Sequence, residues 1–425
     1  MGWICDVGLS DSEIEYQQPE QSLLDHMKKK CNFLKSIGEF CKSHCWKLVH
    51  VLSVTTIALL FARFIIYDLF SLSMFAPVEK TNDFQMSDIY QSISMKRALQ
   101  RASKDITIVS IDGCGRQGVL DAINRISKYS PAAIGLDVVF EYSQQNDSLL
   151  FATLSSTPNL VCAGMYEVNN DGQSFRHINQ SFYEDSIAVT IGYVNLDTSS
   201  PRGVVRRFVP YVLTADGDTL LTFPTQLAKM YKPLRYKELL KRGGEKEIIA
   251  YDNIQFRVVP IEKVLSGEVD ATLLSGRIVL MGDIGDVKDK YCSPSYRMLS
   301  GIELHAYALQ TIISNNYIKV SPNWLNWLIA LLLCMLFAVC NLVASYRMGD
   351  FGNLFMRLLQ LVMMYILVVI GCTYFAFYHN YIDFSPAILM IGFGSVSFDL
   401  WFGCIAVYKK LKKTIQKLIQ KKLTK

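Results

Sequence analysis

The chain has 425 residues, 51% of them hydrophobic, and a formal net charge of +5. The 43 Lys and Arg exceed the 38 Asp and Glu only slightly, and much of that excess sits in short clusters beside apolar blocks, so it is no nucleic-acid footprint. No internal repeat or long low-complexity tract is present, and the apolar residues gather in blocks long enough to suggest membrane spans.

Residues 1–47 are polar, acidic at first and then basic through Lys28, Lys29, Lys30, Lys35, Lys42 and Lys47. The apolar run that follows starts too late for a secretory leader, so this stretch reads as a cytoplasmic segment. Cys31, Cys41, His44 and Cys45 lack the ligand spacing of a known zinc finger, and no metal is assigned to them. Residues 48–72 then read as a first span, long enough to cross ~30 Å of hydrocarbon. Arg63 lies in its outer half, where a long side chain can snorkel towards the far interface. It is one of two candidates for membrane coupling.

The remaining spans are expected at 324–345, 354–378 and 386–408, and their loops set the orientation. The segment before the first span and the tail 409–425 are rich in Lys. The loop after 345 carries Arg347 and Arg357, whereas the loop near His379 and Asp383 has no Lys or Arg. Positive residues stay inside, so both termini are expected in the cytoplasm and residues 73–321 outside. Asp399, in the middle of the last span, is the second coupling candidate, with small neighbours Gly392, Gly394, Ser395 and Ser397 and with Asn341 as a candidate partner.

The outside segment alternates short apolar runs with amphipathic stretches, as an α/β domain does. ITIVSI at 106–111 and AAIGLDVVF at 132–140 read as core strands around a helix at 118–128, a βαβ unit with parallel strands. A short helix at 147–154 and a strand at 160–164 follow. Residues 187–195 and 204–213 read as an antiparallel pair turning at Pro201. A helix at 222–231, a strand at 254–259, a helix at 261–265 and a strand at 277–281 complete the predicted elements. Ser300-Gly301-Ile302-Glu303 is a capping box that opens a helix running to Asn316. The fold expected is an α/β extracytoplasmic domain with a mixed sheet, plus four transmembrane α-helices.

These motifs, in this order, resemble a family. VSID ending at Asp112, AIGLDVVF, the Asp147 helix, GYVN, GVVRRFVPYV, FP at Phe223, GRIVLMGD, Asp289 and GIELHA are similar to the cyclase/histidine-kinase-associated sensory extracellular domain of the second type. The resemblance covers nearly all of 68–320 and implies one preceding and three following spans. It also implies a receptor of a bacterial inner membrane. Two departures stand out. The usual Trp-Pro-rich loop after the first strand is reduced to GCGRQG, with Arg116 as its remnant. Family members usually continue into an output domain, whereas this sequence runs from Tyr408 only to Lys425, so a separate effector in trans is expected.

Asp112, Asp137 and Asp283 each follow a core strand, where open α/β sheets bind ligands. With Arg116, Asp289 and His305 they form the candidate ligand set. Each has a structural alternative: aspartates cap loops, and a His at a helix start is commonly a hydrogen-bonded core residue. No nucleophile–base signature, HExxH, GxSxG or phosphate loop is present, so no catalysis and no cofactor are expected. Cys114, Cys162 and Cys292 leave pairing open. The tail places Leu411, Ile415, Leu418 and Ile419 at helical spacing among lysines, suiting either anionic membrane lipid or a partner helix, from another protein or a second copy. The function expected is a multi-pass sensor that binds an outside ligand or protein and signals through a separate cytoplasmic or membrane effector. The alternative is a non-catalytic envelope scaffold.

Overall fold

The computed structural model describes residues 46–68, 85–97, 101–145, 147–169, 175–178, 181–184, 187–200, 202–243, 246–295 and 297–423. The cysteine-bearing N-terminal segment, the end of the expected first span and the Pro201 turn residue lie outside these. In chain order come α1 (Trp46–Tyr67), α2 (Met86–Arg97), β1 (Arg101–Ser110), α3 (Arg116–Ser127), β2 (Ala133–Leu136), α4 (Asp147–Ser156), β3 (Leu160–Val168), β4 (Phe175–Ile178) and β5 (Thr190–Tyr193). Next are β6 (Arg207–Phe208), β7 (Tyr211–Leu213), β8 (Thr219–Leu221), α5 (Phe223–Tyr231), α6 (Pro233–Arg242), β9 (Glu247–Ile248), β10 (Ile254–Pro260), α7 (Ile261–Ser266) and β11 (Ile278–Gly282). The rest are β12 (Lys290–Cys292), β13 (Met298–Ser300), α8 (Gly301–Ser314), β14 (Lys319–Val320), α9 (Asn323–Tyr378), β15 (Asn380–Tyr381), α10 (Ser385–Gly392) and α11 (Gly394–Leu423).

The main sheet has seven strands in the order β10-β1-β11-β2-β3-β4, with β5 also on β3. Every pairing in it is parallel except β3 with β4, so the mixed α/β sheet is as expected. Its centre is apolar on both faces because helices cover both. Along β11 the period of two divides the side chains: Ile278 and Leu280 pack with Phe223, Leu227, Ile302 and Leu309, while Val279 and Met281 pack with Val119, Ile123, Leu150 and Val264. The result is three layers, with α5 and α8 below the sheet and α3, α4 and α7 above it.

Long-range pairing changes several local expectations. β1 and β2 are parallel but not adjacent, since β11 lies between them. The expected antiparallel pair at 187–195 and 204–213 does not form. β5 pairs in parallel with β3, and the second stretch breaks into β6, which pairs with β9, and β7, which forms a hairpin with β8. The Ser300–Glu303 capping box is present, with the Glu303 carboxylate accepting from the Ser300 N–H at 2.8 Å.

By length and composition, two helices suit a membrane crossing, α1 and α9, and the bent pair α10–α11 makes a third if taken as one span. α9 is not straight. Gly349 sits inside it at φ 55 and ψ −133, outside the helical region. A straight helix of 56 residues would part its ends by about 84 Å. Instead β14, just before it, pairs with β15, just after it. α9 is therefore a helical hairpin with its ends under the α/β domain and its Gly349 turn at the far end. α1 starts at that far end as well, where the His50 ring accepts the Trp401 indole N–H of α11 at 2.9 Å.

Candidate functional site

Because β11 lies between β1 and β2, Asp112, Asp283 and Asp137 follow three neighbouring strands and stand side by side at their carboxyl ends. Asp112 accepts the backbone N–H groups of Ile284 at 2.6 Å and Gly285 at 3.0 Å. Asp283 accepts those of Gly285 at 2.8 Å and Asp286 at 2.9 Å. The two carboxyls also lie close enough to influence one another's ionisation. Burial opposes ionisation of Asp112, but the neighbouring Asp283 carboxyl and the backbone donors outweigh it, so its pKa is depressed. Asp283, facing Asp112, has its pKa raised by that neighbour and by burial. Both are exposed, and with Asp286 they form an acidic rim on a loop braced by its own backbone.

Asp137 sits deeper. Burial, with Asp289 nearby, pushes its pKa up to about 7. Asp289 is raised mainly by burial and accepts the Gly301 N–H at 3.0 Å, so it caps α8. Among the described residues no group of His, Cys, Asp and Glu is placed to hold a metal ion. What the rim offers is a preorganised set of carboxylate acceptors for a cationic or hydrogen-bond-donating ligand.

Two members of the candidate set are engaged elsewhere. His305 is 4% exposed, its ring edge-on to Phe223 with centroids 5.5 Å apart. Burial lowers its pKa to about 4 despite a hydrogen bond to the Val194 backbone, so at neutral pH it is an uncharged core residue closed to an outside ligand. Arg116 donates to Asp147 at 2.7 Å and to the Tyr142 carbonyl at 2.7 Å, with its guanidinium over Phe140 at 4.9 Å. It clamps the loop between β2 and α4 rather than facing the aspartates. Cys114 and Cys162 are free thiols, and the Cys292 thiol donates to the Ser293 carbonyl at 3.5 Å.

The coupling residues are placed as follows. Arg63 lies over the Tyr67 ring at 5.8 Å and lines a groove with Trp324 and Trp327. Asp399 pairs with Arg357 at 2.6 Å, not with Asn341, which is 4% exposed in the bundle. Arg357 reaches Asp399 because the hairpin returns alongside α11.

A second region was missed in the sequence. α2 is held between the α/β domain and the hairpin. On the domain side, Arg206 grips Asp88 through two hydrogen bonds, of 2.9 and 2.8 Å, with side chains 8% and 2% exposed. On the hairpin side, Tyr90 is 1% exposed, packs against Phe375 and Tyr381, and donates to the Ile382 carbonyl at 3.4 Å. It can do so because the facing residue is Gly371, where a Cβ would collide with the Tyr90 hydroxyl. Ala250 and Ile318 from the domain join Met86, Tyr90, Cys372 and Phe375 in one apolar cluster. A signal was available: Met86, Ile89, Tyr90 and Ile93 fall at i, i+3, i+4 and i+7.

The sheet, with its carboxyl ends exposed, is joined through α2 and the β14–β15 strand pair to the long apolar hairpin α9. Residues 57–339 match the CHASE2 domain family, and the chain belongs to that family. The match begins within α1 and ends within α9, so it takes in the attachments on both sides of the α/β domain. No curated protein and no solved structure matches the chain.

Proposed function

We propose that this protein is a multi-pass membrane receptor that performs no catalysis itself and passes an outside signal to a separate effector. α1, the two arms of α9 and the bent α10–α11 pair would supply four crossings. The lysine distribution supports cytoplasmic termini and a domain outside a bacterial inner membrane. A ligand, small molecule or protein, would sit on the rim formed by Asp112, Asp283 and Asp137.

One observation carries the reading: α2 is gripped by the domain through Asp88 and by the hairpin through Tyr90. A change of domain position therefore has a packed route to the membrane helices. The effector would meet the exposed α11 tail. The test is copurification with the full-length protein and with a form lacking residues 409–425. A cytoplasmic partner recovered with the first and lost with the second supports the reading. Envelope proteins alone, recovered equally with both, would favour a scaffold. A reporter active only outside the cytoplasm should be silent at Lys425, and activity there would overturn the orientation.

A further inference from the structure

At the opposite edge of the sheet from the acidic rim lies a cleft of about 690 Å³, lined by Arg101, Lys104, Asp105, Arg257, Arg277 and Gln310 among others. β1 spans 10 residues, which puts the two edges about 30 Å apart. The cleft exists because β1 bulges. Its register against β10 jumps between Ala102 and Thr107, and a bulge re-aims side chains. The bulge is held in shape from three sides. Ser103 Oγ accepts the Ile106 N–H at 3.1 Å and donates to Gln310 at 3.1 Å, and Arg277 donates to the Ser103 carbonyl at 3.0 Å.

The charge is lopsided. Four cations line the cleft against one carboxylate, and Asp105 already accepts from Lys232 at 3.1 Å and Tyr231 at 2.8 Å. Arg101, Lys104 and Arg257 are exposed, and none makes an ion pair among the described residues. Asp252 lies within electrostatic range of Arg101 but accepts from Asn316 at 2.6 Å. Cations gathered around a braced bulge repel one another unless an anion lies between them. A single carboxylate would engage one guanidinium fork, whereas a phosphate presents enough oxygens to bridge several cations.

We propose that this cleft is a binding site for a phosphate-bearing anion. Two sources share that chemistry. Asp252, beside Arg101, also feels His379 at the top of the hairpin, so one end of the cleft lies near the membrane joint and a phospholipid headgroup can reach it. The cleft also opens to solvent, admitting a soluble phosphate compound. The site stands independently of the receptor reading, and its failure would leave the acidic rim and the α2 joint untouched.

The test uses the full-length chain in nanodiscs. In zwitterionic discs, inorganic pyrophosphate is titrated by calorimetry. In discs containing phosphatidylglycerol, retained anionic lipid is counted by native mass spectrometry. Saturable pyrophosphate binding assigns a soluble source, and retention confined to the anionic lipid assigns a headgroup. Either result must weaken in the Lys104→Gln/Arg257→Gln variant, by about tenfold for each cation removed. Lys237→Gln, on the exposed face of α6, should change neither. Absence of both signals, or equal signals in the double variant, overturns the proposal.

Discussion

Asp88→Ala removes the carboxylate that Arg206 grips with bonds of 2.9 and 2.8 Å, in a setting where the side chains are 8% and 2% exposed. Deleting one partner of a buried ion pair typically costs about 3–5 kcal/mol, because the other charge stays in a low-dielectric setting. Arg206 makes further contacts, so the lower end, about 3 kcal/mol, is expected here. The loss should be local, because α2 joins the domain to the hairpin and lies outside the main sheet. Its readout is hydrogen exchange in nanodiscs at the strand pair beneath the domain, where the Lys319 N–H donates to the His379 carbonyl and the Ser321 N–H to the Tyr381 carbonyl. A loss of about 3 kcal/mol corresponds to roughly hundredfold faster opening of α2 and this pair. The core strand β11 should stay protected. Unchanged exchange at both α2 and β14, in a protein shown to be folded, would refute the argument that this ion pair locks the joint.

Gly371→Ala should act on the same joint from the hairpin side, since the new methyl meets the Tyr90 hydroxyl. Tyr90 must then leave its seat at a cost of about 1–3 kcal/mol, and exchange in α2 should rise while Gly371→Ala/Tyr90→Phe recovers part of the loss. Asp137→Asn tests the acidic crevice through pH. The Asp137 pKa is raised to about 7 in the fold, above its unfolded value, so the folded state keeps that proton longer. Its stability contribution is full below about pH 4 and is lost as the pH rises through about 7. Asparagine does not titrate, so the variant should be more stable than the parent above about pH 7, by about 2 kcal/mol after allowing for partial exposure, and should melt higher there. A parent and variant with parallel melting profiles across that range would remove the buried-carboxyl assignment.

Local pattern carried much of the architecture. The apolar runs became β1, β11 and, cut short at Leu136, β2, the Ser300–Glu303 box became the start of α8, and Val119, Ala122, Ile123 and Ile126 became the buried face of α3. The candidate set was only partly legible. Asp112, Asp137 and Asp283 do meet at one edge, because strand ends are local and parallel strands end together. His305 took its structural alternative, a hydrogen-bonded core residue, whereas Arg116 could not be placed from sequence, because its partner Asp147 is brought by another element. The Asn341 expectation for Asp399 failed for the same reason: the turn at Gly349 decides which face of the hairpin returns beside α11, and it presents Arg357.

Neighbours within a few residues set the repertoire of elements and their polarity: apolar helices in blocks, lysines at their ends, alternating strands and amphipathic helices. Adjacency came only with the packing of the layers. β11 enters between β1 and β2 to bring the aspartates together, and Asp88 finds Arg206 across 118 positions of chain. Such contacts leave no periodic trace, because they depend on how whole layers stack rather than on what precedes or follows each residue.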